Sequence, residues 1–291
     1  MQTNIIIKEF FEIFKEKSQF MIKILISKIL NKPISEIHVS KTYCNFTLTD
    51  EENEILMKYF TELKTGKPIS KVINEANFYG YNFFVNEHVL DPRCDTECLI
   101  DAVKDQFPNF KQEYGILDLC TGSGIILITL LREYENSYGI GVDVSNEAIY
   151  VAKKNVILNF VENRAKIVEA DLRDELFIRK IEFENFRDAK FDIIVSNPPY
   201  IKSDDIKNLP DEVKRHDPLI ALDGGKDGLF FYRKILENIK KLISRNSTLF
   251  FEIGYDIYHD VQKISENAGF YEVKSYKDLN QIVRVIALKL R

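Results

Sequence analysis

The first quarter of the chain has the hydrophobic period of α-helices. From residue 3 to about residue 75, apolar residues recur three and four positions apart, with few glycines and no β-rich run. Asn31-Lys32-Pro33 ends the first pair of predicted helices. Thr49 and Glu52 have the spacing of a capping box, which opens a further helix that ends at Thr65-Gly66-Lys67-Pro68. We therefore predict a small helical domain over residues 1–75.

Residues 76–92 have a different pattern, in which aromatic residues surround Gly80 and Asn82. Aromatic residues around a Gly-containing turn are typical of a β-hairpin. We predict that this hairpin links the helical domain to a second domain over residues 93–291. A helix is predicted near the start of that domain, over residues 98–107, with acidic residues in its first turn as the helix dipole prefers.

The second domain alternates between short apolar runs and helical periods, which predicts an α/β fold. The predicted strands cover residues 116–119, 139–143, 166–168, 191–196 and 248–253. The predicted helices that follow residue 107 cover residues 125–132, 148–159 and 230–242. The last two strands, 271–275 and 282–288, are expected to form an antiparallel hairpin. Residues 201–227 show no period, and a structureless loop of this length is usually a lid or a substrate-binding segment.

The apolar run over residues 191–196 ends abruptly in Asn197-Pro198-Pro199-Tyr200. Successive prolines forbid further pairing, so the backbone must leave the sheet at the edge where parallel sheets bind ligands. The proline carbonyls and the Asn197 amide oxygen are acceptors suited to a ligand that carries an NH2 group. The Tyr200 ring can lie against the flat face of such a ligand. The alternative is a strand cap followed by a proline turn.

A second motif lies in residues 116–124, where a predicted strand breaks into a loop that precedes a helix. Gly122 and Gly124 let the backbone of this loop approach a ligand at the helix N-terminus. The next strand ends in Asp143, 19 positions after Gly124, where a carboxylate binds the hydroxyl pair of a ribose. A dinucleotide-binding loop ordinarily has a third glycine, which is absent here. The pattern therefore favours a nucleoside without phosphates.

Asp171 and Leu172 follow the strand predicted over residues 166–168 and have two interpretations. The Asp171 carboxylate can accept a hydrogen bond from an adenine amino group while Leu172 packs against the ring. Asp171 can equally cap the loop in which it lies. The residues alone leave both interpretations open.

The overall charge argues against a nucleic-acid partner, since the net charge is −5 and the pI is near 5.6. The longest apolar stretch near the start, residues 20–30, contains Lys23 and Lys28 and is too short to cross a bilayer. Acidic residues appear by Glu9 and no small-residue cleavage site follows. We therefore expect a cytoplasmic protein without a signal peptide or membrane contact.

The cysteines and histidines lack the spacing of a metal site. We expect free thiols and no metal. Cys94 and Cys98 would lie one turn apart on a helix, which could bind a soft metal, but a buried thiol is favoured at each.

These motifs together resemble the HemK/PrmC family of protein-glutamine methyltransferases, which modify the Gly-Gly-Gln loop of peptide chain release factors. The matching segments are Thr65-Gly66-Lys67-Pro68, residues 80–97, 118–124, 143–145 and 196–201, Asp217-Pro218, and residues 221–229 and 251–254. The chain departs from the family at Asp91, Cys94, Asp217 and Ile257. None of these touches the inferred donor or amide site, so they put only the finer substrate contacts in doubt.

The resemblance implies a Rossmann-like, class I S-adenosylmethionine-dependent methyltransferase domain with a seven-stranded, mostly parallel sheet. It implies methyl transfer from S-adenosylmethionine to the side-chain amide nitrogen of glutamine, with a release factor as protein partner. We expect residues 1–75 to recognise that partner, and we expect a monomer with no direct nucleic-acid contact. The implied cofactor residues are Asp118, Cys120, Thr121, Gly122, Ser123, Gly124, Asp143, Asp171, Leu172 and Asn197. The implied catalytic residues are Asn197, Pro198, Pro199 and Tyr200.

Two other functions fit part of the pattern. A nucleic-acid methyltransferase can use Asn-Pro-Pro-Tyr on adenine or guanine, because a flipped base also presents a planar NH2 group. The acidic composition and the lack of a separate basic domain argue against it. A catalytically silent scaffold that binds the cofactor or the release factor is the other alternative, and the intact motif argues against it.

Overall fold

The computed structural model describes residues 2–41, 43–184 and 190–291, and the chain divides into two compact units, Met1–Glu75 and Ala76–Arg291. The first unit is helical, as the hydrophobic period predicts. Its α-helices are α1 (Gln2–Phe14), α2 (Ser18–Leu30), α3 (Asp50–Lys64) and α4 (Ile69–Ile73), and short 3-10 helices cover Lys15–Lys17 and Ile34–Glu36.

The ends of these helices follow from their capping residues. The Thr49 hydroxyl accepts the Glu52 backbone N–H at 3.2 Å, and the Glu52 carboxylate accepts the Thr49 N–H at 2.7 Å, so the predicted capping box is confirmed. Asn31 closes α2 in the left-handed conformation, with φ of 49°. Apolar faces of α1, α2 and α3 meet in one buried core, which includes Phe10 and Phe60.

The predicted hairpin is formed by β1 (Ala76–Phe78) and β2 (Tyr81–Phe83), which pair antiparallel. It belongs to the second unit. The Asn155 side chain accepts the Phe84 N–H at 2.6 Å and donates to the Phe84 carbonyl at 2.9 Å, which fixes the chain directly after the hairpin. The segment expected to act as a linker is therefore packed into the domain that follows it.

The second unit is built on a seven-stranded sheet with the order β5-β4-β3-β6-β7-β9-β8. Its strands are β3 (Gly115–Leu119), β4 (Tyr138–Asp143), β5 (Ala165–Glu169), β6 (Phe191–Ser196), β7 (Ile243–Glu252), β8 (Phe270–Lys277) and β9 (Val283–Leu290). Strands β3 to β7 pair in parallel, whereas β9 pairs antiparallel with β7 and β8. The mostly parallel sheet and its terminal antiparallel hairpin are thus confirmed.

Helices cover both faces of this sheet. Successive residues of each strand point to opposite sides, and both sides are apolar, so each face must be buried. In β6, Ile194 packs into the core on one face, while Ile193 and Val195 pack into the core on the other. The helices are α5 (Glu97–Gln106), α6 (Ile125–Glu133), α7 (Asn146–Leu158), α8 (Phe177–Glu184), α9 (Asp211–His216), α10 (Phe230–Asn238) and α11 (Tyr258–Asn267). Side chains of α5, α6 and α7 join one core, and side chains of α8, α10 and α11 join the other.

The expectation of a structureless segment over residues 201–227 is wrong. The segment contains α9 and the 3-10 helices Ser203–Asn208 and Leu219–Ala221. Pro210 and Pro218 each stand directly before one of these short helices, at its N-cap position. Helices of one or two turns are too short to give a readable hydrophobic period, which explains why the pattern did not predict them.

The buried-thiol prediction is also wrong for Cys94. This residue begins the 3-10 helix Cys94–Thr96 and is exposed, whereas Cys98 is partly buried and contacts the Lys277 carbonyl. Within the described residues, no group of His, Cys, Asp or Glu is arranged to hold a metal ion.

Candidate active site

The crevice of the sheet lies between β3 and β6, where the strand order reverses. Leu119 and Ser196 pair at the carboxyl ends of the two strands. The Ser196 hydroxyl donates to the Leu119 carbonyl at 2.7 Å. The glycine-containing loop and Asn197 therefore start from the same point of the sheet.

The loop after β3 turns sharply because Cys120, Gly122 and Gly124 have positive φ angles of 61°, 54° and 81°. Glycine adopts such angles at little cost, but Cys120 is strained there. Gly124 also allows close packing, since a Cβ at this position would lie 3.0 Å from the Ile128 side chain and 3.4 Å from that of Ala152. The loop can thus lead directly into α6.

Asp118 supports this loop from inside the sheet. Its Oδ2 accepts the Thr121 hydroxyl at 2.6 Å and the Leu127 N–H at 3.3 Å. Its Oδ1 is buried and has no hydrogen-bond partner among the described residues. Burial raises the pKa of the Asp118 carboxyl to about 7, against the opposing effect of the Thr121 hydrogen bond.

We expect Asp118→Asn to change how the free energy of unfolding depends on pH. A pKa raised to about 7 in the folded chain means that the contribution of Asp118 to stability is fully present below its ordinary pKa and is lost as the pH rises through about 7. Denaturant unfolding at pH 6 and pH 9 should show a larger loss for wild type than for the variant, whose amide does not titrate. Glu252, whose pKa is also about 7, titrates in both proteins and cancels in the comparison. Equal losses would contradict this account of Asp118.

Asp143 ends β4 beside the same loop. Its Oδ2 accepts the Gly122 N–H at 2.9 Å and its Oδ1 accepts the Ser145 N–H at 3.0 Å. Burial raises the pKa of this carboxyl, and the backbone donors oppose that rise. Each oxygen keeps capacity for a further donor, so Asp143 can bind a pair of hydroxyl groups.

A cavity at this edge brings most of the predicted site residues together. Those that line it are Cys120, Thr121, Gly122, Ser123, Asp143, Asp171, Leu172, Asn197 and Pro199. The other predicted residues, Asp118, Gly124, Pro198 and Tyr200, lie within two positions of these in sequence and do not line the cavity. Asp118 and Gly124 instead shape the loop, as described above.

Two walls of the cavity come from segments that the site prediction did not include. Residues 88–93 form one and Pro218, Ile220 and Ala221 belong to another. Asp217 joins them: its buried carboxylate accepts the Asp91 N–H at 3.1 Å and pairs with the Arg93 guanidinium at 2.7 Å. This contact brings together residues 124 positions apart in the chain.

The structure supports the capping interpretation of Asp171, and its contact with adenine stays a prediction. Its carboxylate accepts the Arg173 backbone N–H at 2.8 Å and pairs with the Arg173 guanidinium at 2.6 Å. The Arg173 hydrogen bond lowers the pKa of Asp171. The same residue lines the cavity next to Leu172. It therefore caps its own turn at the edge of the cavity.

Asn197 is half-buried on the cavity wall. Its Nδ2 donates to the Thr96 hydroxyl at 3.4 Å, and Thr96 directly precedes α5. Because the two heavy atoms of an amide point apart, Oδ1 is turned away from Thr96. Three residues later, Tyr200 packs against the buried core, and burial raises the pKa of its hydroxyl to about 12. Tyr200 is therefore uncharged at neutral pH.

Residues 90–212 match the family model described as the methyltransferase small domain. A release factor glutamine methyltransferase of Clostridium botulinum is 36% identical over 264 residues, which cover 91% of this chain and 89% of the relative. One of Clostridium acetobutylicum is 38% identical over 250 residues, which cover 83% and 84%.

The solved hMettl16 catalytic domain, in complex with MAT2A 3′UTR hairpin 6, has a TM-score of 0.56 over 88% of both chains. Its identity to this chain is 14%, so it shows the fold alone. The order of the seven strands and the family match together give the class I S-adenosylmethionine-dependent methyltransferase fold. The extent and identity of the curated matches show that this chain belongs to the release factor glutamine methyltransferase family.

Proposed function

We propose that this chain transfers a methyl group from S-adenosylmethionine to the side-chain amide nitrogen of the glutamine in the Gly-Gly-Gln loop of a peptide chain release factor. The position of Asn197 supports this most directly. Its amide lies on the cavity wall with Nδ2 directed at Thr96, which leaves Oδ1 as an acceptor for a planar NH2 group.

The cavity residues suit S-adenosylmethionine. The Asp143 carboxylate can accept the ribose hydroxyls, and Asp171 with Leu172 can hold the edge and face of adenine. Asp118, which does not line the cavity, acts on the site through the loop that it supports. When bound, S-adenosylmethionine supplies an electrophilic methyl group, and the acidic residues around the cavity complement its positive charge.

The residues of this chain act on the acceptor amide. Asn197 Oδ1 and the Pro198 carbonyl each accept one amide hydrogen and aim the nitrogen lone pair. An amide nitrogen is a poor nucleophile because this lone pair is delocalised into its carbonyl, so orientation must supply most of the acceleration, about 7–11 kcal/mol at best. The two acceptors also stabilise the positive charge that grows on nitrogen. The methylated amide then loses its proton to water, so no dedicated base is needed.

The first unit and the oligomeric state of the protein also have a place in this function. Residues 1–75 form a helical unit that carries none of the cavity residues, and we propose that this unit recognises the release factor. No helix among the described residues has the length and apolar character needed to cross a membrane. We further propose that the protein works as a monomer in the cytoplasm; light scattering at micromolar concentration checks the monomer.

Methyl incorporation from labelled S-adenosylmethionine tests this function. We expect incorporation into a whole release factor, none into the same factor with Gln→Asn in its Gly-Gly-Gln loop, and none into adenine-containing single-stranded DNA. A short Gly-Gly-Gln peptide should show a higher KM than the whole factor if residues 1–75 recognise the protein. Incorporation into DNA with the release factor unmodified would overturn the proposed reaction, and equal KM values would overturn the role of the first unit.

A further inference from the structure

Glu252, the last residue of β7, is a carboxylate that the mechanism above does not use. It is 3% exposed at the end of a strand whose preceding residues, Leu249, Phe250 and Phe251, are apolar. Its Oε2 is buried and has no hydrogen-bond partner among the described residues. A buried carboxylate with a free oxygen is costly, so this position calls for a functional reason.

The register of the sheet places Glu252 beside Asn197. Ser196 pairs with Phe251, so Asn197, which directly follows β6, comes level with Glu252, the last residue of β7. Val195 and Phe250, two residues earlier on each strand, pack into the same core, on the face that α5 covers. Because side chains alternate along a strand, Glu252 points toward that face. The hydrogen bond from Asn197 to Thr96, directly before α5, places the Asn197 amide on the same side.

The groups that shift the pKa of Glu252 agree with this arrangement. Burial raises the pKa of its carboxyl to about 7, whereas the Thr96 hydroxyl, the Arg284 guanidinium and the Asn197 amide lower it. Arg284 is already paired with Asp95 at 3.0 Å and with Asp278 at 2.8 Å. The carboxylate of Glu252 therefore lies near two neutral donors, Thr96 and Asn197, and near a guanidinium that other acids engage.

We propose that Glu252 is a positioning residue for Asn197. Its carboxylate holds the Nδ2 side of the Asn197 amide, together with Thr96, and so prevents the amide from rotating its NH2 group into the cavity. A rotated amide would present donors to the NH2 group of the substrate, and the acceptor would be lost. Glu252 does not line the cavity, so it acts only through Asn197. This inference rests on the proposed function.

Kinetics of Glu252 variants test the inference. We expect Glu252→Ala to lower kcat on a release factor by about tenfold to a hundredfold, the usual scale for coupled neighbours, while KM and the Kd for S-adenosylmethionine change less than about threefold. Glu252→Gln should recover part of kcat, because it keeps an acceptor oxygen. The matched control is Glu272→Gln on β8, whose carboxylate binds Tyr258 and Gln262 and which should keep wild-type kcat.

A double variant that exchanges the amide and the carboxylate between positions 197 and 252 keeps the test decisive if Glu252→Ala fails to fold. Asn197→Asp combined with Glu252→Gln restores a hydrogen bond between the two positions, with the donor now on position 252. We expect this double variant to be at least about tenfold more active than Asn197→Asp alone. If the double variant and Asn197→Asp are equally active, or if Glu252→Ala keeps a wild-type kcat, Glu252 does not position Asn197. A wild type that does not methylate the release factor would overturn the proposed function instead.

Discussion

Asn197→Ala should lower kcat by about two to three powers of ten and change KM for the release factor little. This is the usual loss when one preorganised electrostatic partner is removed. The hydrogen bond from the acceptor amide to Oδ1 strengthens as positive charge develops on nitrogen, so its loss falls on the transition state more than on binding. Steady-state kinetics with a whole release factor, and with S-adenosylmethionine in excess, measures both parameters.

Two further measurements make the Asn197 result specific. Calorimetry should show that Asn197→Ala keeps most of the affinity for S-adenosylmethionine, because Asp143, Asp171 and the loop after β3 are unchanged. The control is Asn246→Ala, an exposed asparagine on β7, which should match wild type in every parameter. A rise in KM with an unchanged kcat would show that Asn197 binds the substrate uniformly and does not orient it.

Much of the fold could be predicted from the sequence because most of its elements have their own local signal, although α8 and α11 were not predicted. The capping box at Thr49 and Glu52 gave the start of α3, and the apolar run that ends at Ser196 gave β6. The place of the crevice, at the carboxyl ends of the strands, followed as well. That β3 and β6 are the neighbours that form it comes from the structure. The segment over residues 201–227 could not be predicted in the same way, because its three helices are too short to show a repeating apolar face.

The site was less predictable where it depends on contacts between distant segments. Asp217 lies 124 positions from Arg93, and no local pattern shows that their ion pair joins two cavity walls. Glu252 did leave a signal in the sequence, since it is a lone acid directly after the apolar residues 249–251. A charge at the end of a buried strand needs a partner or a function. That signal could have placed Glu252 among the candidate residues, although only the sheet register shows that it faces Asn197.

Gly224→Ala should lower kcat by about a hundredfold, through displacement of the Asn-Pro-Pro-Tyr segment. A Cβ on Gly224 would lie 2.7 Å from the Tyr200 Cα and 2.8 Å from the Pro199 carbonyl oxygen, both backbone atoms. Hydrogen bonds at 3.0 Å from Ile201 N–H to the Leu222 carbonyl and at 2.8 Å from Gly224 N–H to the Ile201 carbonyl hold the two segments together. The added methyl group must therefore move the motif, and a shift of about 1 Å in a positioned group can cost a hundredfold in rate.

Gly254→Ala provides the matched comparison. A Cβ on Gly254 would also contact Tyr200, but it would lie 3.1 Å from a ring atom of the side chain and not from the backbone. A ring can shift by a few tenths of an ångström while the backbone of Tyr200 stays in place, so we expect less than a tenfold loss of kcat. Both variants should bind S-adenosylmethionine with nearly wild-type affinity in calorimetry, since neither glycine lines the cavity. If Gly224→Ala keeps wild-type kcat and Tm, the backbone of Pro199 and Tyr200 tolerates displacement, and orientation by this motif cannot be the main source of the rate acceleration.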